Sequence, residues 1–146
     1  MQPTNNQTTF RDCPFIQLPQ HHDRRGNLTA LHNGVELPEQ IARIFYLYDV
    51  PAGAERGGHA HRELVQYIVA ASGSFEVILD DGEQQERHYL NRPNQALRVA
   101  PGIWSQLRNF SGGAICMVLA TARYDEADYI RSYEQFIAYR HAGKTV

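Results

Sequence analysis

Gly53-Ala54-Glu55-Arg56-Gly57-Gly58-His59-Ala60-His61 decides how this chain is read. A glycine pair precedes two histidines spaced i and i+2. On a strand those two positions share a face. His59 and His61 would then present two imidazoles side by side to one cavity. Such a pair suits either a metal ion or proton transfer. The residues beyond it decide which.

Outward from this stretch, short apolar runs alternate with Gly, Asn and Asp turns. Runs at residues 28–32, 41–50, 65–71, 74–79, 84–90, 96–100 and 114–121 read as strands. Ser72-Gly73 reads as a hairpin turn between two of them, and Asp80-Asp81-Gly82 as another tight turn. The pattern predicts an all-β barrel or sandwich. Only residues 125–136 suggest a helix or an irregular cap, with Tyr129, Tyr133 and Phe136 at i, i+4 and i+7. That segment is expected across a barrel mouth or against a partner chain. Residues 1–9, rich in Gln, Asn and Thr, read as a disordered tail, and residues 10–146 as a single domain.

Composition removes several function classes. The chain has 146 residues, 42% of them hydrophobic, and a net charge of −2. It carries no basic block of the kind that binds nucleic acid. No apolar run approaches the roughly 20 residues that span a bilayer, and the polar start lacks a signal-peptide segment. Cys13 and Cys116 stand apart, outside any CxxC pair, as reduced thiols do. The expected compartment is the cytoplasm.

The spacing of the histidines resembles the cupin family, whose first motif runs G-x5-H-x-H-x(3,4)-E-x6-G. Gly53, His59, His61 and Gly73 fit, but Gln66 holds the glutamate slot. The second motif also keeps its scaffold. Pro101-Gly102 and Asn109 stand in place, while Ser105 holds the histidine slot. Two of the four metal ligands are therefore replaced by a neutral amide and a neutral hydroxyl. Two imidazoles without an anionic ligand make a poor divalent site, so no metal and no cofactor are expected. Imidazole titrates at about 6.5, which suits acid–base work near neutrality. The resemblance implies a cupin-type double-stranded β-helix, or jelly roll.

A narrower resemblance rests on six pieces: RGNLTAL at 25–31, RIFYLYDVP at 43–51, RGGHAH at 56–61, LDDG at 79–82, PGIW at 101–104 and YDEADYIRSYEQF at 124–136. Together they resemble the WxcM-like dTDP-4-oxo-6-deoxyglucose 3,4-ketoisomerases of bacterial surface-glycan (O-antigen) biosynthesis. The resemblance implies an isomerase that moves the carbonyl of a dTDP-linked 4-keto-6-deoxyhexose from C4 to C3 through an enediol. It implies a product destined for a 3-amino-3,6-dideoxy sugar, no cofactor, and a homodimer. His61 is expected to be the main proton-transfer residue and His59 the second acid–base or oxyanion-stabilising group.

Tyr46 and Tyr48 share one strand face and are expected to donate to the enediolate or the sugar. Arg43 lies on the opposite face, where it could serve a neighbouring subunit. Arg56, Arg98, Arg108 and Arg25 are the other candidates for the pyrophosphate, since guanidinium forks suit phosphate oxygens. Trp104 either stacks on thymine or packs in the core. Asn27 and Ser105 are expected near the sugar. Serine in place of histidine at position 105 leaves the C4 configuration of the product open. A cupin-type 3,5-epimerase and a non-enzymatic sugar-nucleotide-binding cupin are the competing readings.

Overall fold

Period-two apolar patterning resolves into twelve strands and one helix, described for residues 5–143 in a computed structural model. The strands are β1 Phe15–Gln17, β2 His21–Asp23, β3 Gly26–Leu28, β4 Arg43–Leu47, β5 Arg56–His61, β6 Gln66–Ser72, β7 Phe75–Asp80, β8 Gln85–Leu90, β9 Gln95–Val99, β10 Trp104–Arg108, β11 Ile115–Ala120 and β12 Tyr129–Ile130. The helix, α1, is Tyr133–His141. One five-stranded sheet runs β1-β9-β6-β11-β4 and the other β12-β5-β10-β7-β8, while β2 and β3 form a separate hairpin. Every pairing is antiparallel. From β4 to β12 the chain passes from one sheet to the other at every step except the β7–β8 hairpin, in keeping with the jelly-roll expectation.

The core lies between the two sheets. Alternate residues of facing strands fill it: Ile68 and Ala70, Phe75, Val77 and Leu79, Leu97 and Val99, Cys116 and Val118. Phe75 is fully buried and stacks on Phe110 at 5.2 Å. Burying one such ring contributes roughly 1.5–3 kcal/mol. Both cysteines are buried and free, and burial pushes Cys13 up to about 11 and Cys116 up to about 12. They act as small apolar packing groups.

Three expectations change. Ser72-Gly73 does not close a hairpin, because β6 and β7 belong to different sheets. The turn carries the chain across the sandwich instead. Gly73 is required there: its φ is +66°, and a Cβ would sit 2.5 Å from Ser111 Oγ and 2.8 Å from the Ala114 Cα. The paired hairpin is β7–β8, where Asp81 Oδ1 accepts from the Glu83 and Gln84 amides at 2.8 Å.

The C-terminal helix begins at Tyr133, with Ser132 as its cap. Tyr129 belongs to β12, because its backbone pairs with His61. Phe136 packs on Trp104 behind the second sheet, and the Tyr133 hydroxyl donates to Asp80 at 2.7 Å.

The N-terminal segment also differs from a disordered tail. Residues 1–4 lie outside the described residues, but Asn5–Gln7 form a 3-10 turn and Thr8 is buried. Thr8 Oγ1 donates to the Pro101 carbonyl at 2.7 Å. Arg140 donates to the carbonyls of Thr8 at 2.7 Å and Gly102 at 3.1 Å. Among the described residues, no helix is long and apolar enough to cross a membrane.

Candidate active site

Strand β5 carries the glycine–histidine stretch and is bulged. His59 lies opposite Ser105 and Arg56 opposite Leu107, so one extra residue is accommodated on β5. Gly57, at φ +85°, permits that local turn of the backbone. Past the bulge the i, i+2 rule holds, and the rings of His59 and His61 meet edge-on at 4.9 Å.

His59 opens onto a cavity of about 330 Å³ with walls from both sheets. Arg43, Phe45 and Leu47 line it from β4, Arg56 through His59 from β5, and Gln66 and Ile68 from β6. Ser105 and Leu107 contribute from β10, Val118 from β11, and Tyr129 and Arg131 from the C-terminal segment. Three guanidiniums thus reach one space that, among the described residues, no carboxylate lines. Arg43 Nη1 is buried without a hydrogen-bond partner among the described residues, and its guanidinium lies 4.5 Å from the Phe45 ring.

The two histidines differ in their surroundings. His59 lines the cavity, and its Nε2 is buried without a partner among the described residues. Burial, then repulsion from His61 and Arg131, pushes His59 down to about 3, against a smaller opposing pull from Glu126. His61 is only 4% exposed. Its Nδ1 lies 3.1 Å from Asp128 Oδ2, and its Nε2 lies 3.2 Å from the Gln66 amide nitrogen. Burial also lowers His61, with the Asp128 carboxylate opposing. Both imidazoles are therefore neutral near pH 7. His59 meets the cavity and His61 stands behind it.

Tyr129 packs against both, with ring centroids 4.3 Å from His61 and 5.1 Å from His59. Arg131 covers Tyr129 at 4.2 Å and forms a two-pronged pair with Glu126 at 2.7 and 2.9 Å. That pair holds Glu126 down at about 2.

The other candidates divide by strand face. Ser105 and Arg56 line the cavity, as does Arg43, so the β4 face expected to look away is the inner one. Tyr46 and Tyr48 point outward, 59% and 61% exposed, and sit outside this chain's cavity. Arg98 is taken up by Glu39 and the Asp12 carbonyl. Arg108 lies beside Glu76 at 3.9 Å, on the face of β10 away from the cavity. Trp104 is buried against Tyr133 and Phe136 and does not line the cavity. Arg25 and Asn27 occupy the exposed β2–β3 hairpin, where Arg25 pairs with Asp23 at 2.8 Å and Asn27 Oδ1 lies 2.6 Å from His22 Nδ1.

Asp128, Tyr129 and Arg131 were not among the residues expected at the site. Their only signal in the sequence is their place in the YDEADYIR piece. Among the described residues, no three His, Cys, Asp or Glu side chains cluster so as to hold a metal ion.

Comparison with known proteins gives the family and the fold. The family model FdtA, described as WxcM-like, C-terminal, matches residues 11–141. A TDP-4-oxo-6-deoxy-alpha-D-glucose-3,4-oxoisomerase of Aneurinibacillus thermoaerophilus is 41% identical over 117 residues, covering 80% of this chain and 84% of the relative. A 3,4-ketoisomerase from Helicobacter canadensis superposes with a TM-score of 0.86 at 41% identity, over 89% of this chain and 98% of that one. A histidine-to-asparagine variant of the 3,4-ketoisomerase QdtA from Thermoanaerobacterium thermosaccharolyticum, in complex with TDP-4-keto-6-deoxyglucose, is 29% identical. It superposes with a TM-score of 0.88 over 90% of this chain and 96% of that one. With the family model matched along nearly the whole chain, this protein belongs to the WxcM-like FdtA family.

Proposed function

We propose that this protein is a sugar-nucleotide 3,4-ketoisomerase that converts dTDP-4-keto-6-deoxy-D-glucose to a dTDP-3-keto-6-deoxyhexose. One observation carries the reading: two neutral, adjacent imidazoles, His59 lining a cavity and His61 behind it, meet a space that three arginines and, among the described residues, no carboxylate line. Guanidiniums suit a pyrophosphate, and neutral imidazoles suit proton transfer.

The C3 hydrogen lies beside the C4 carbonyl and is acidified by it. His59, with its free Nε2 at the cavity, takes that proton. The C3–H electron pair forms the C3–C4 double bond, and charge moves to O4 of the enediol. Arg43, Arg56 and Arg131 lie close enough to stabilise negative charge on the substrate. O4 takes up a proton to complete the enediol; the O3 hydroxyl then gives up its proton, its electrons form the C3 carbonyl, and the double-bond pair takes a proton at C4. C3 is oxidised and C4 is reduced by the same electron pair, so the balance closes within the substrate. His61, touching His59, is the second proton carrier, and Ser105 is placed to hydrogen-bond the sugar.

The 3-keto product is the substrate an aminotransferase needs to make a 3-amino-3,6-dideoxyhexose for a surface glycan such as O-antigen. A charged nucleotide sugar does not cross membranes, which places the enzyme in the cytoplasm. The working unit is a homodimer. Ile44 and Tyr46 on the edge strand β4, with Tyr48 just past its end, expose an apolar row, and such edges are normally covered. In a dimer, the exposed β2–β3 hairpin gives Arg25 and Asn27 a route to a sugar nucleotide in the neighbouring cavity.

The test is incubation with dTDP-4-keto-6-deoxyglucose in deuterated water, followed by 13C and 1H NMR. The expected result is movement of the carbonyl resonance from C4 to C3, with loss of the original C3 proton. Binding without either change would reject the reading. Inversion at C3 or C5 with the carbonyl still at C4 would make the protein an epimerase.

A further inference from the structure

One contact at the site has no part in the chemistry above: the carboxylate of Asp128. Asp128 ends the 3-10 turn Glu126–Asp128, immediately before β12. That strand pairs with β5 at Tyr129–His61 and Ile130–Ala60, and the register brings Asp128 beside the His61 ring. Asp128 Oδ2 lies 3.1 Å from His61 Nδ1. Two backbone amides hold the same carboxylate, Glu63 N–H at 2.8 Å and Leu64 N–H at 3.3 Å. The group is fixed before any ligand arrives, and its side chain is only 14% exposed.

An ionised carboxylate only accepts hydrogen bonds. His61 Nδ1 must therefore carry the hydrogen, because the other tautomer would set a lone pair against an anion. The basic lone pair then belongs to Nε2. Nε2 faces Gln66, whose amide nitrogen lies 3.2 Å away and whose side chain lines the cavity. When Nε2 gains a proton, that contact becomes donor against donor, and rotation of the Gln66 amide presents Oε1 to accept it.

We propose that Asp128 is a positioning residue of the ketoisomerase: it fixes His61 with Nδ1 protonated, turns the basic Nε2 to the cavity wall at Gln66, and stabilises the imidazolium formed whenever His61 carries a proton. The proposal rests on the ketoisomerase reading. The charged and titratable groups facing His61 are His59 on its own strand, Tyr129 on β12, Arg131 just beyond it, Arg43 from β4, and Asp128. Of these, Asp128 alone is anionic. The two arginines oppose a positive charge on His61, and Asp128 offsets them.

The experiment combines Asp128→Asn and Asp128→Glu with 15N NMR of the histidine rings and with pH–rate profiles on dTDP-4-keto-6-deoxyglucose. In the resting wild type, His61 should give the Nδ1–H pattern. Asp128→Asn should lower kcat roughly 100-fold or more, the scale of a mis-set acid–base group, with KM little changed. Because the carboxylate favours the charged imidazole, its loss should move the His61 limb of the profile to lower pH. Asp128→Glu should restore part of kcat and move the limb back. Wild-type kcat and an unmoved limb in Asp128→Asn would overturn the proposal. An Nε2–H pattern for wild-type His61 would overturn it too, even if the variants fail to fold. An active wild type with that pattern sinks the Asp128 proposal alone, whereas an inactive wild type sinks the ketoisomerase reading on which it rests.

Discussion

Replacing His59 with glutamine should flatten the pH dependence of stability below neutrality. Burial, chiefly, holds His59 at about 3 in the native protein. In the unfolded chain it titrates near 6.5. Between those values the unfolded state binds a proton that the native state refuses, so stability falls as pH falls from 6.5 towards 3. The slope approaches about 1.4 kcal/mol per pH unit. Integrated, His59 costs the native state about 2 kcal/mol between pH 7 and pH 5, and about 4 kcal/mol by pH 3. Glutamine fills similar space and takes up no proton.

The other histidines are common to both proteins and drop out of the difference, apart from His61. Its ring lies 4.9 Å away and loses a titratable neighbour in the variant, so some pH slope remains. Equilibrium urea unfolding at pH 7, 6 and 5, followed by the fluorescence of the single tryptophan, Trp104, measures the effect. Wild type should lose about 2 kcal/mol more than His59→Gln across that range. Parallel curves would refute the reasoning. They would mean that native His59 accepts protons as freely as the unfolded chain, and a hydrated, charged His59 is not the neutral base the mechanism requires.

Two further outcomes follow from the walls of the cavity and the outer face of the first sheet. Arg43→Met should weaken TDP binding about 10- to 100-fold by calorimetry, the worth of one charge-assisted contact to phosphate; unchanged affinity would remove Arg43 from the pyrophosphate site. Tyr46→Arg with Tyr48→Arg should convert a dimer to a monomer in sedimentation, and a wild-type protein that sediments as a monomer would refute the interface.

The histidine pair was legible because it needs only the two-residue period of a strand and a local glycine bulge. The replaced ligand slots were legible for a similar reason: Gln66 lies close in sequence, and Ser105 follows a Pro-Gly turn. Alternation along β4 correctly separates Arg43 from Tyr46 and Tyr48. Alternation alone has no inside or outside, however. The other sheet decides that by covering the Arg43 face. Arg98 was unreadable because its partner, Glu39, lies 59 positions away in a loop without a pattern. Asp128 reaches His61 across 67 positions by way of a two-residue strand. Such a pairing is far too short to leave a periodic signal. The i, i+4, i+7 aromatics misled for the same reason. The strand pairing claims Tyr129 and leaves the helix to begin at Tyr133.

Strand β12 gives the protein two separable sequence addresses. The packed sandwich between the sheets is built within residues 13–118. Asp128, Tyr129 and Arg131 are delivered afterwards by a short strap anchored through Tyr129–Ile130 and backed by Phe136. Substitutions in the strap can retune the polarity and proton affinity around His59 and His61 without disturbing the packing that supports the barrel. A lineage of such enzymes can therefore vary its chemistry by editing about ten residues near the C-terminal end, while the architecture that presents the histidines stays constant.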